Sequence, residues 1–382
     1  MERSKELELI NLSLGLAQEK RPPAPEPETM VPVANYLDPE RFRNERERFH
    51  RPALNLVAHR SEIESPGDYL TVDVVGSPVI LVRDPDGRAR AFLNVCRHRG
   101  AKVTLEARGS CKRFVCPYHA WTYRTDGRLD HVRHREGFPS LEKEQLRLTE
   151  LTCVERGPFI FVCPEPGLEL TLDPGMQALV DEIDTMVEGA EGLAVFQRES
   201  GVHKANWKLL VEGGIESYHF KIAHRSTIAP LFTDTLSTYE VSGRHLRSVL
   251  PKSSILELAG RPDEERHLLP HANVLYSLNP NASVLVQDGH YAVITMTPVA
   301  LDRTRIDLWT VGRKIPGGEQ GTKVREFLEA NHRFTVRTLQ EDFAMAEQIQ
   351  EGLDSGANEM LRFATFEGAL RVWHRTLDEA IS

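Results

Sequence analysis

The sequence predicts an α+β chain of two domains: an antiparallel β domain first, then a domain in which helices lie on an antiparallel sheet. Three observations carry this reading. Between about 40 and 165, short apolar or alternating runs are separated by turn residues. Beyond residue 165, helical periodicities flank three strand-like runs. The length, 382 residues, suits two domains of ordinary size. The expected division is 1–40 for an N-terminal helix and arm packing on the second domain, 41–165 for the β domain and 166–382 for the second domain.

The elements can be justified in order. Residues 4–19 place Leu7, Ile10, Leu14 and Leu16 near one face of a helix. The proline-rich stretch 21–28 breaks that pattern and reads as an extended arm. "DYLTVDVV" and "SPVILVRD" read as strands, and "PDGRARAFLNV" as a hairpin about Asp86-Gly87, with a second turn at Asp126-Gly127. "VERGPFIFV", bracketed by Cys153 and Cys163, reads as two strands about Arg156-Gly157-Pro158. Further on, 173–189 is predicted helical, 193–205 a strand, and 206–224 helical with interruptions. "ANVLYSL", "ASVLVQDGHYAVITMTPV" and "RIDLWTVGR" are the strand-like runs, and 322–353 is a long helix broken at most once.

Composition excludes several classes. Apolar residues make up 40% and charged residues 27%, enough for a sizeable core. A formal net charge of −9 argues against nucleic acid as a partner. No apolar run reaches membrane-spanning length. The first twenty residues lack the basic start and continuous apolar stretch of a secretion signal, so cytoplasm is expected. Of five cysteines, Cys111, Cys153 and Cys163 are expected to be reduced core thiols.

The remaining two cysteines belong to a pattern: Cys96-x-His98, seventeen intervening residues, then Cys116-x-x-His119. A [2Fe–2S] cluster of the Rieske kind needs this set, two thiolates on one iron and two imidazoles on the other. Structural zinc also uses Cys₂His₂, but usually pairs like with like, whereas each loop here carries one of each. The second cluster of ligands is His219 and His224. Five residues apart on a regular helix, they point about 140° away from each other, so both reach one metal only if the helix kinks or ends between them. Glu216 lies three residues before His219 on the same predicted helix face, and "QEDFAMAEQ" (340–348) supplies later carboxylates. Two histidines and one carboxylate bound facially leave positions open on Fe(II) for dioxygen and substrate. Asn206 is placed to cap the segment and Gly213-Gly214 to loosen it. Trp121 is expected to shield the cluster, Trp207 to sit in helix core, and His131 and His134 to lie at the surface.

With "CRHRG", "CPYHAW", "NWK…E…ESYH…H" and "EDFAMAEQIQEGL" in this order, the chain resembles the Rieske non-haem iron oxygenases, in their terminal oxygenase alpha subunit. The resemblance implies that Cys96, His98, Cys116 and His119 hold the [2Fe–2S] cluster and that His219, His224 and Asp342 hold Fe(II). By spacing alone Glu341 competes with Asp342. It also implies that Glu216 bridges to a cluster histidine of a neighbouring subunit. The family usually has Asp there, with Glu in some members acting on alkylammonium compounds. Gly213 stands where the family often has Asn. Electron-carrier Rieske proteins brace their cluster with a disulfide from a second cysteine in each loop, and these loops hold no such pair.

The activity implied is that of a terminal oxygenase, an iron-dependent enzyme that activates O2 and hydroxylates or demethylates a small apolar or aromatic substrate. A cis-dihydroxylating ring dioxygenase is the alternative, and a Rieske electron-transfer protein without oxygenase activity the different class. No G-x-G-x-x-G fingerprint occurs, so NAD(P)H electrons must arrive through a partner reductase or ferredoxin. A homotrimer follows from the resemblance; nucleic acid and membrane are not expected partners. Pocket candidates are Ile228, Leu231, Phe232, Leu250, Val274, Tyr276, Val286 and Tyr291. For a quaternary ammonium substrate, Phe220, Phe232, Tyr276 and Tyr291 are candidate cage aromatics, although no Trp falls between 208 and 308.

Overall fold

A computed structural model describes residues 1–23, 27–187, 192–234 and 237–382. They form two compact units: His50–Leu172, and a second made by the flanking chain, Met1–Phe49 with Asp173–Ser382. The first unit is thus inserted into the second, and its limits fall at 50 and 172 where the sequence places 41 and 165. The physical reason is local. Glu45 accepts hydrogen bonds from Lys208 Nζ and Trp207 Nε1, and Phe49 packs on the Trp207 ring at 5.9 Å, so 41–49 are tied to the second unit. At the other limit Asp173 caps the helix Pro174–Met186, accepting from Met176 N at 3.0 Å.

The inserted unit is built of three small antiparallel sheets. Asp68–Val74, Ser77–Arg83 and Ala89–Leu93 lie in the five-stranded one, with Gly87 (φ +81°) turning the hairpin as a glycine must. Arg113–Val115, Thr122–Arg124 and Leu129–His131 form a three-stranded one turning at Gly127. In the third, Cys153–Arg156 pairs with Phe159–Val162. Cys153 faces Val162, so Cys163, one residue on, leaves by the other face. All five cysteines are free thiols, and burial pushes Cys153 up to about 12.

The second unit centres on a seven-stranded antiparallel sheet, in order Leu193–His203, Arg303–Arg313, His290–Ala300, Ala282–Gln287, Ala272–Leu278, His245–Pro251 and Thr238–Ser242. The run "ASVLVQDGHYAVITMTPV" is therefore two strands, split at Gly289 (φ +78°). The helix Arg3–Glu19 packs near the His245–Pro251 strand with Leu9, Ile10, Leu14 and Leu16 buried. On the other face lie Trp207–Ile215, Gly368–Ile381 and Gly318–Asp354, the last a single 37-residue helix without the break the sequence allows. Of the proline-rich arm 21–28, residues 24–26 lie outside the described residues, as do 188–189 of the predicted helix 173–189. Among the described residues no helix is long and apolar enough to cross a membrane.

Candidate iron centres

The two loops of the inserted unit share one backbone design. Cys96 N donates to Ala101 O at 2.8 Å and Gly100 N to Cys96 O at 3.0 Å. Cys116 N donates to Trp121 O at 2.9 Å and Ala120 N to Cys116 O at 3.0 Å. In each loop the fourth residue after the cysteine is left-handed, Gly100 at φ +79° and Ala120 at φ +57°. Glycine adopts this at no steric cost; alanine does so only because the loop dictates it. The shared geometry brings the His98 and His119 rings to 4.7 Å and buries both cysteines. Trp121 stacks on His98 at 4.8 Å and 10°, with Phe138 edge-on to both, so aromatic faces wall the site. The Nδ1 of His119 is buried without a hydrogen-bond partner. An orphaned imidazole nitrogen beside two buried thiols is what a cluster would satisfy, so the residues fit a [2Fe–2S] group. Tyr123 adds a feature that spacing does not reveal. Its hydroxyl accepts from Arg97 N at 3.0 Å and lies 3.3 Å from Cys96 Sγ, and burial holds the phenol protonated. Arg97 is occupied by Thr149 and Arg99 lies over the Tyr118 ring. His131 and His134 are exposed, His134 facing Glu136.

In the second unit, Asn206 caps Trp207–Ile215 by accepting from Lys208 N at 3.1 Å, and its amide is anchored on Tyr36 O and Leu301 O. This helix stops at Ile215, and Glu216 is extended, so Glu216 does not share a helix face with His219 as the sequence reading expects. Instead Glu216 sits in the break and folds over the next turn: its carboxylate accepts from the backbone N–H groups of Tyr218 and His219 and from His219 Nδ1. A four-residue helix, Phe220–Ala223, follows, with His219 and His224 at its two ends. The pair thus stands off the first helix, at the two ends of one short turn, and there the backbone leaves regular helix geometry, His219 at ψ −15° and His224 at φ −98°, ψ 27°; that departure lets both rings turn to one point.

His219 Nε2 and His224 Nε2 lie 3.1 Å apart, and Asp342 Oδ1 from the long helix stands 3.3 and 2.9 Å from them. Bonds of about 2.1 Å meeting at right angles place donors about 3 Å apart. The triangle thus fits three facial ligands of one ion with positions left open. His219, His224 and Asp342 each offer one ligand atom, and these atoms all lie within 4.8 Å of one another. Burial works against a charged His219, yet hydrogen bonds to Asp342 and Glu216 outweigh it and raise the ring to about 10, so a proton competes for the place of a cation. Glu341 does not join the triangle. It accepts from His224 Nδ1 at 2.9 Å, behind the ring.

The wall beside this triangle is Phe220, Phe232, Leu250 and Leu275, with Ile228 and Leu285 packed against it. Phe220 meets Phe232 edge to face at 5.4 Å and touches both histidine rings. Four of the sequence candidates are misplaced. Val274, Tyr276, Val286 and Tyr291 share one face of the sheet by register, and Tyr276 hydroxyl donates to Glu182 of the helix on the far side. Alternation along each strand sends neighbours to opposite faces, so Leu275 and Leu285 line the site in their stead. Leu231 is exposed. Asn273, opposite Leu250, escaped the sequence reading; its Oδ1 is buried on the site's face without a partner.

Comparison with known proteins agrees with both centres. Residues 53–142 match the Rieske [2Fe-2S] domain, and 190–382, just over half of the chain, match the ring hydroxylating alpha subunit (catalytic domain). The chain is 34% identical over 370 residues to the glycine betaine monooxygenase oxygenase subunit of Chromohalobacter salexigens, covering 86% of this chain and 80% of the relative. It is 34% identical over 209 residues to the carnitine monooxygenase oxygenase subunit of Escherichia coli (strain K12), but the match spans only about half of either chain, 54% of each. A solved quaternary ammonium Rieske monooxygenase superposes with a TM-score of 0.77 at 22% identity, covering 91% of this chain and 94% of that one, which shows the common fold. The cluster loops, the facial triangle and these matches together make this chain a member of the Rieske non-haem iron oxygenases, of the alpha-subunit type.

Proposed function

We propose that the chain is the terminal oxygenase of a multicomponent system and acts as a monooxygenase on a small N-methylated ammonium compound, hydroxylating a methyl carbon so that demethylation follows. The observation carrying this is the donor triangle of His219, His224 and Asp342, with each imidazole's outer nitrogen held by its own carboxylate. When bound there, Fe(II) supplies dioxygen activation, and a [2Fe–2S] cluster on Cys96, His98, Cys116 and His119 supplies single electrons. The reaction consumes O2, two electrons and two protons and yields hydroxylated substrate and water. The electrons originate from NAD(P)H through a separate reductase or ferredoxin. Cys111, Cys153 and Cys163, outside the cluster set and not disulfide-bonded, support a reducing, cytoplasmic setting.

The chain's own residues hold the substrate and the proton positions. Phe220 and Phe232, packed edge to face beside the triangle, are the aromatic rings there, and ring faces attract a trimethylammonium group. The names of two relatives, glycine betaine and carnitine monooxygenase, support the same substrate class. Glu216 fixes His219 with its Nε2 toward the metal position, and we assign it the bridge toward a cluster histidine of a neighbouring subunit.

The test is metal content followed by substrate-dependent oxygen uptake. Three irons per chain are expected; two would mean an electron carrier. Glycine betaine, carnitine and small aromatic acids, supplied with a reductase and labelled dioxygen, separate the chemistries. One labelled oxygen lost as formaldehyde supports the proposal, while two on adjacent ring carbons overturn it. Glu216→Gln is expected to retain both centres yet lose about 10–100-fold in coupled turnover; full turnover would remove the bridge.

A further inference from the structure

We infer that Glu341 is a positioning residue for the mononuclear centre: locked by Thr227, it grips the rear nitrogen of His224 and aims that ring's Nε2 at the metal, leaving Asp342 as the carboxylate ligand. This inference rests on the iron reading above and deepens it.

Adjacent residues on a helix diverge by about 100°, so Glu341 and Asp342 on the long helix cannot serve one point in the same way. The structure divides their tasks. Asp342 Oδ1 approaches the inner Nε2 atoms of His219 and His224, while Glu341 Oε2 accepts a hydrogen bond from His224 Nδ1 at 2.9 Å. The same Oε2 accepts the Thr227 hydroxyl at 2.5 Å. Thr227 itself is fixed by the turn that follows His224, its backbone N donating to His224 O at 3.0 Å. His224, Thr227 and Glu341 thus close a hydrogen-bonded ring, with the histidine and the threonine both buried.

This ring has two consequences. It settles the His224 tautomer, since a proton on Nδ1 leaves Nε2 with its lone pair free for a metal. It also joins the loop holding two ligands to the helix holding the third, across 117 residues of chain. Glu216 does the first for His219 from three residues away, but only Glu341 does both. Outer carboxylates of this kind are worth about 10–100-fold in metal affinity.

The experiment uses the full chain with its cluster intact. Fe(II) affinity is measured by anaerobic equilibrium dialysis, and Co(II) placed in the mononuclear site gives a spectrum sensitive to ligand orientation. Glu341→Leu is expected to weaken Fe(II) binding about 10–100-fold and to change the Co(II) spectrum. Glu341→Gln, whose amide oxygen can still accept the Nδ1 proton, is expected to recover most of the affinity, and Thr227→Val to fall between. Cluster absorbance and the thermal midpoint should match wild type throughout. Wild-type affinity and an unchanged Co(II) spectrum in Glu341→Leu would overturn the proposal. So would a loss as complete as that of Asp342→Ala with no rescue by glutamine, because that marks a ligand. Should Glu341→Leu fail to fold, the glutamine and Thr227→Val variants carry the same comparison. A wild-type chain that binds no third metal fails the underlying reading, before any variant is compared.

Discussion

At the scale of single residues, Tyr123 offers the sharpest expectation. A coordinating Cys96 carries no proton, so the phenol must be the donor in their 3.3 Å contact, and its lone pair is already taken by Arg97 N. A hydrogen bond to a cluster sulfur favours the reduced, more negative state. If one bond is worth about 1 kcal/mol of difference, Tyr123→Phe should lower the cluster's reduction potential by about 40 mV. Redox titration of the visible absorption checks this, and an unchanged potential would show that the contact is only steric. Residue types and spacing pick out Cys96, His98, Cys116 and His119, because ligand chemistry is written in them. Tyr123 is invisible there, since its contacts with Cys96 and Arg97 of the first loop are tertiary. Glu341 and Asp342 are equally ambiguous in the sequence: both are acids on one helix, and the side that faces the histidines is a tertiary fact.

At the scale of elements, the segment 206–224 shows where local reading suffices and where it stops. The Asn206 cap is legible, as is the need for a departure from regular helix if both histidines are to meet, although the sequence places that break between them and the structure ends the first helix before them. That Glu216 makes the break's own cap, rather than extending the first helix, is not legible, because i,i+3 spacing is shared by both geometries. The pocket wall fails for a related reason. Period-two alternation gives two faces, but which face meets the iron depends on which helices cover each side, and four of eight candidates went to the wrong one. Lys208 is the other surprise of this segment: a fully buried lysine on Glu45, which also holds Trp207 Nε1 and Arg41. Burial pushes its ammonium below the usual lysine range, with Glu45 opposing that fall. Lys208→Met leaves the buried Glu45 carboxylate with Arg41 as its remaining cationic partner and should destabilise the second unit by about 3 kcal/mol. Glu45→Gln combined with Lys208→Met should recover much of that loss. Urea unfolding of the wild type and these two variants measures it, and equal stability of the single and double variants would refute the coupling.

At the scale of the whole molecule, the question is which cluster serves which iron. If the chain forms a closed three-fold ring with electrons passing to the neighbour, every interface has a donor side and an acceptor side. Cys116→Ser removes the cluster but leaves the iron triangle, and Asp342→Ala does the reverse. Alone, either should be inactive. Co-expressed with different tags and purified as mixed trimers, they behave differently under the two routes. Going round any ring of two kinds, a chain with an intact cluster is followed once, and only once, by a chain with an intact iron site. Each mixed trimer should therefore recover about one third of wild-type turnover, whichever variant is in the majority. Transfer within a chain predicts none, because no chain holds both centres. Glu216 provides a further control. Adding Glu216→Gln to the Cys116→Ser chain, whose iron is the one in use, should cut the recovered activity by about 10–100-fold. Adding it to the Asp342→Ala chain should leave that activity intact, since the bridge there leads to a site without metal. Equal loss from both placements would mean that Glu216 supports the fold of the subunit rather than the crossing of an electron.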